Sequence, residues 1–169
     1  MRSVGTKLSA ESRQRRFDSA VHGAVAGFAA TLPMTAVMFA VQLVLPRSSQ
    51  IPPEPQIITD KLLQRAKIYQ KTSEGGRKLA AVVNHFAYGA ACGAAFATVA
   101  GGRLQSSPST GLVAGLLVWM GSYAGWLPAA KILPPPPDRL RGRNVLLLTA
   151  HSVWGLSLHA VLRRIRRPY

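Results

Sequence analysis

The chain has 169 residues, 48% of them hydrophobic, and carries 21 Lys and Arg against 6 Asp and Glu, a formal charge of +15. That length is one domain's worth, and apolar bulk with a basic excess fits either a nucleic-acid binder or a membrane protein with basic loops. The single cysteine, Cys92, excludes an intrachain disulfide and a thiolate metal cluster.

The placement of charge decides between the two classes. No charged side chain falls between Asp18 and Arg47, Lys78 and Arg103, Arg103 and Lys131, or Arg143 and Arg163. Trimmed to their apolar parts, these gaps are residues 20–45, 79–100, 110–130 and 144–162. A helix rises ~1.5 Å per residue, so about 20 residues cross the hydrocarbon of a bilayer. A soluble bundle would show a polar stripe at the 3.6-residue period, and these runs show none. The expected fold is therefore all-α: an integral membrane bundle of four helices. Its basic loops face anionic lipid headgroups rather than nucleic acid. The first run is too long for a signal-peptide core and is expected to stay uncleaved.

In chain order, residues 1–19 form a basic tail in which Arg13, Arg15 and Arg16 abut the first span. Pro33 inside that span removes a helical hydrogen bond and frees the carbonyl of Ala29, so a kink is expected. The following "LPRSSQIPPEPQ" is too rich in proline for a helix, with Glu54 a polar linker residue. Thr59 is placed to cap a short helix over residues 59–71, with Asp60 as its helix-start charge. Ile58, Leu62, Ala66 and Tyr69 fall on one side of it, and such a helix would lie in the membrane interface. "SEGGR" ends it. Short linkers "GGRLQSSPS" and "KILPPPPDRLRGR" join the later spans, and residues 163–169 form a basic C-terminal tail.

Two halves are visible. "GAVAG" at 23–27 matches "GLVAG" at 111–115, and in each half Leu-Pro (Leu45-Pro46, Leu133-Pro134) follows 22 residues after the first glycine. "HFAYG" at 85–89 then matches "HSVWG" at 151–155. Two spans per unit make this a parallel repeat about an axis along the membrane normal. With both termini on one side, that side holds ten Lys and Arg and the other eleven, so the positive-inside rule does not orient the chain. Arginine clusters abutting spans one and four favour cytoplasmic termini.

Membrane helices pack through small residues that let backbones approach. Gly23/Gly27, Gly89/Gly93, Gly111/Gly115 and Gly121/Gly125 all have that four-residue spacing. His85 and His151 each lie four residues before a glycine, Gly89 and Gly155, and so share its face. They should point at other helices, where an imidazole finds a hydrogen bond, and not at lipid. Counted from the span starts, both lie ~9–11 Å below one membrane face. His22 and His159 fall near the other, and Asn84 and Gln42 are the remaining interior polar candidates.

Three readings of the paired histidines stand side by side. Each makes one interhelical hydrogen bond; or they form a proton relay or pH-sensing pair; or one b-type haem sits between His85 and His151. Two stacked haems do not fit, because His151 and His159 are separated by ~12 Å of rise. A metal site of histidine alone lacks a full ligand set, and no cofactor is otherwise expected. Catalytic parts are missing: no span holds Asp or Glu, there is no glycine-rich phosphate loop followed by lysine, and no Ser-His-Asp set shares one depth.

"GAVAGFAATLPM", "LPRSSQIPPEPQIIT" and "HFAYGAACGAAFA", all within residues 23–97, resemble the YagU-like group of small bacterial inner-membrane proteins. The long basic helix in the first loop and the arginine-rich tail depart from that pattern. The resemblance implies a multi-pass protein of the bacterial inner membrane and transfers no catalytic residue. The expected role is non-enzymatic, structural or accessory, and stress-related. A small transporter or proton pathway and a haem-binding redox protein are the alternatives. Expected partners are the bilayer and a second copy or another membrane protein.

Overall fold

The computed structural model describes residues 2–44, 52–100, 107–138 and 141–165, and among these no strand occurs. Five helices follow one another: α1 Arg2–Val44, α2 Glu54–Arg65, α3 Glu74–Ala100, α4 Pro108–Trp119 and α5 Arg141–Ile165. α4 runs on as a π-helical segment, Met120–Trp126, and a last α turn, Leu127–Ala129. Glu11–Val41, Glu74–Ala100, Pro108–Ala129 and Gly142–Ile165 are long and apolar enough to cross a membrane. The expected all-α four-helix bundle is what forms.

α1 packs against both α3 and α5, and α5 also packs against α4, so the helices stand in the order α3, α1, α5, α4. Glycine sets the contact in each outer pair. A Cβ added at Gly27 would collide with the carbonyl oxygen of Gly89, and one at Gly93 would lie 2.8 Å from the Cα of Gly27. In the second pair an added Cβ at Gly115 would collide with the His151 carbonyl and lie 3.2 Å from the Cα of Gly155. One at Gly111 would lie 2.5 Å from the Gly155 oxygen and 2.7 Å from the Cβ of His159. Gly23 meets the oxygen of Gly93 and the Cβ of Ala97 in the same way. Both pairs are thus antiparallel hairpins with one contact pattern, and backbone touches backbone. Between them runs a buried seam of Ala26, Ala30, Ala150, Trp154 and Leu158, each at most 2% exposed.

This pattern corrects the alignment of the halves. Gly27 corresponds to Gly115, and its partners Gly89 and Gly93 correspond to His151 and Gly155. Trp154 therefore stands where Cys92 does, and His85 is one helical turn out of register with His151. The repeated His-x-x-aromatic-Gly pattern does not mark equivalent positions. Gly121 and Gly125 are corrected too. An added Cβ at Gly121 meets nothing within 4 Å, and one at Gly125 meets only the Met120 oxygen, at 3.5 Å. They belong to the π-helical segment, where Gly125 takes φ −105° and ψ −106°. Gly155, in contrast, joins the packing set.

Residues 2–19 are not a separate tail but the outer part of α1, whose residues 11–18 are exposed. They contain no proline and many good helix formers, so a helix nucleated in the span propagates outward. α1 passes through Pro33 as one helix. The first-loop helix starts five residues earlier than expected, because a proline in the first turn gives up an N–H that has no partner there anyway. Pro53 caps α2, and Gln56 and Ile57 donate to its carbonyl at 2.9 and 3.2 Å. Thr59 is thus mid-helix and buried. α2 also ends early: Lys67 takes φ 58° and Ile68 donates to the Leu63 carbonyl at 3.0 Å. Lys131 (φ 52°) and Ile132, donating to Leu127 at 2.9 Å, close α4 identically. This Schellman ending usually takes glycine. The 101–106 linker, residues 166–169 and the side chain of Gln42 lie outside the described residues.

The packing predicts a sharp contrast between glycines. Gly89→Leu and Gly155→Leu force a side chain into a neighbouring backbone and should each cost about 3 kcal/mol or more, at or beyond the upper end of ordinary overpacking. Gly121→Leu, into open space, should cost less than about 1 kcal/mol. Reversible unfolding in detergent measures all three, and equal losses would contradict the assigned contacts.

Candidate functional site

The fourth side of the bundle, between α3 and α4, has no glycine contact. Three side chains bridge it. Tyr88 and Ser122 hydroxyls share a hydrogen bond of 2.8 Å, and the Trp126 indole N–H donates to the Tyr88 oxygen at 3.2 Å. Behind this bridge lies a cavity of about 400 Å³. Thr31 and Met34 of α1 and His151 and Trp154 of α5 form its inner wall, and His85, Tyr88 and Cys92 of α3 flank it. Val118, Ser122, Tyr123 and Leu127 close the side of α4, while Ile58, Thr59 and Leu62 of α2 cover its end. The cavity runs from the α2 end of the bundle to about its middle, where Cys92 of α3 and Trp154 of α5 lie past the midpoints of their helices.

The π-helical segment shapes the α4 wall. Its i→i+5 bonds widen the turn, and both Ser122 and Tyr123 are buried, at 3% and 6% exposure. By the repeat's offset Gly121 stands level with Pro33 of α1, which stays helical there, so of the two helices it is α4 that departs from α geometry beside the cavity. Thr31 and the indole of Trp154 both donate to the Gly27 carbonyl, at 2.8 and 3.2 Å, which ties the inner wall to the glycine seam.

The two histidines singled out in the sequence do line this one cavity. His151 Nδ1 lies 2.7 Å from the Leu147 carbonyl, which can only accept. The proton is therefore on Nδ1, and the neutral ring presents Nε2 as an acceptor. Tyr123 meets this ring edge-on, with centroids 5.5 Å apart. The Nε2 of His85 is buried with no hydrogen-bond partner among the described residues. His159 lies elsewhere, buried beside Gly111 as Ala97 is beside Gly23. Asn84 turns outward to Thr59, donating at 3.2 Å. No group of three or more His, Cys, Asp or Glu placed to hold a metal occurs among the described residues.

α2 is a lid fastened by charge. Glu54, 3% exposed, pairs with Arg143 at the start of α5, Nε to Oε1 2.5 Å. Arg143 also donates to the Pro52 carbonyl at 2.9 Å. Arg65 donates to the Ala130 carbonyl at the end of α4. Asp60 lies 3.8 Å from Arg77 of α3, whose guanidinium sits 4.4 Å over the Tyr69 ring. Neither acid is the linker or helix-start charge expected. Their partners are remote in sequence, so local pattern could not pair them. Tyr88 and Trp154 were visible in the sequence as the aromatic positions of the repeated motif; Ser122 and Tyr123 carried no such signal. Comparison of the chain with protein-family models, curated proteins and solved structures finds no match.

The lid makes a testable demand. Arg143→Met strands a buried carboxylate and should weaken α2 docking by about 3–5 kcal/mol, whereas Glu54→Met/Arg143→Met together should restore most of it. Hydrogen exchange of the α2 amides in detergent reads both, with fast exchange in the single variant and near-native protection in the double one.

Proposed function

We propose that this chain is a multi-pass protein of a bacterial inner membrane, akin to the YagU-like group, and that it acts without covalent chemistry. Its working part is the lidded cavity, which holds a small membrane-soluble molecule. One observation carries this reading: about 400 Å³ of space, apolar walls and a few convergent polar groups at the one unpacked side of the bundle. Pockets for small ligands have this size and character. Tyr88 and Trp126, 42% and 41% exposed, stand on the bundle's flank, where a molecule dissolved in the bilayer would arrive. With the termini cytoplasmic, the lid lies on the outer side and the cavity runs inward from it to the middle of the bundle.

A proton or solute path across the membrane gains less support. Beyond Trp154 the seam continues through Ala26, Leu158 and Leu162, at most 1% exposed, so the cavity ends inside the bundle.

Filling the space tests the proposal. Val118→Trp and Ala91→Trp, on opposite walls, should each abolish saturable uptake of a lipid-soluble fluorophore such as diphenylhexatriene into the purified, detergent-solubilised protein. Thermal stability should stay near that of the parent. Undiminished uptake in two stable variants would overturn the reading.

A further inference from the structure

Taking the cavity as a binding site, as just proposed, its polar atoms specify the ligand. We infer that it accepts a neutral amphiphile with a hydroxyl head, a lipid alcohol, and discriminates against carboxylates, amines, phosphates and plain hydrocarbons.

Charge is the first filter. Among the described residues, none of the side chains lining the cavity is Lys, Arg, Asp or Glu. A phosphate, carboxylate or ammonium head would lose its hydration there without gaining a counter-charge, which is costly. The ligand's head is therefore neutral.

Proton counting is the second filter. Tyr88 and Ser122 own one hydroxyl proton each, and the bond between them uses one. The Trp126 N–H occupies one lone pair of the Tyr88 oxygen. Whichever of the two hydroxyls donates, one O–H of the pair is left to give. Across the cavity His151, its proton held on Nδ1 by Leu147, offers a bare Nε2 that needs to receive one. A ketone or ether satisfies the hydroxyl pair only, and an alkane satisfies neither. An alcohol accepts from the pair and donates to the imidazole with one oxygen. The His85 Nε2, without a hydrogen-bond partner among the described residues, adds a further polar contact of either sense. Apolar walls and the exposed flank between α3 and α4 leave the hydrocarbon chain a way out into lipid.

The test uses the full chain in phosphatidylcholine nanodiscs with four probes of one chain length: 1-dodecanol, dodecanoate, dodecylammonium and dodecane. Displacement of bound diphenylhexatriene, corrected for the Val118→Trp protein, gives their relative affinities. Dodecanol should displace at least about tenfold better than the other three, since two hydrogen bonds separate it from dodecane and the cost of burying a charge separates it from dodecanoate and dodecylammonium. His151→Leu should reduce dodecanol to the level of dodecane. Tyr88→Phe/Ser122→Ala, which removes the hydroxyl pair away from the Gly115 contact, should do the same and serves if the first variant does not fold. Equal displacement by dodecanol and dodecane would overturn the alcohol assignment while leaving a binding cavity. Preference for dodecanoate or dodecylammonium would overturn it too. Probe uptake no greater than in Val118→Trp would instead overturn the cavity as a binding site altogether.

Discussion

The structure depends on glycine carbonyls and Cα atoms lying directly against the backbone of a neighbouring helix. Lipid tails are as apolar as leucine, so nothing squeezes two membrane helices together as water would; close packing has to do it. Gly23 and Gly27 meet Gly93 and Gly89, and Gly111 and Gly115 meet Gly155 and His151, without an intervening side chain. Such contact is available only where small residues face one another. Once α1 has met α3, and α4 has met α5, through these glycines, no backbone-to-backbone glycine contact is left for the α3–α4 side. A gap bridged by Tyr88, Ser122 and Trp126 follows from that shortage, and the cavity lies behind it.

The cavity's polarity and its lid have separate causes. The polar side chains come mainly from the regular helices α3 and α5, and the π-helical turn of α4 adds Ser122 and Trp126. The lid is held from the other direction by ionic contacts at the bundle's end. Glu54 and Arg143 join α2 to α5 across 89 positions of sequence, and Asp60 and Arg77 join it to α3. A buried pair of that kind contributes less to net stability than to fixing one arrangement. Here it fixes α2 over the cavity mouth.

Four spans could be read from the sequence because a helix with one face in water needs polar residues every turn or so, and only lipid removes that need over a bilayer's thickness. Six of the eight glycines named from four-residue spacing do pack. The other two, Gly121 and Gly125, share the spacing but sit in π-helical backbone, where the α periodicity that justified the inference no longer holds. The histidines were correctly turned inward, yet their symmetry was misjudged. Which turn of α3 meets which turn of α1 is a matter of packing depth, and a motif match of five residues cannot see it. Reading Pro52, Pro53 and Pro55 as helix breakers failed because their effect depends on position: at a helix start they are harmless.

Backbone contact at this register is the central claim, and glycine protons report on it directly. In protein labelled only at glycine, cross-relaxation between α-protons should link Gly27 with Gly93 and Gly115 with Gly155, since each pair brings two Cα atoms together with no side chain between. Both cross-peaks in detergent micelles would match the packing described. Their absence, with Gly27 instead close to residues a turn away on α3, would contradict the register, and with it the position of the cavity.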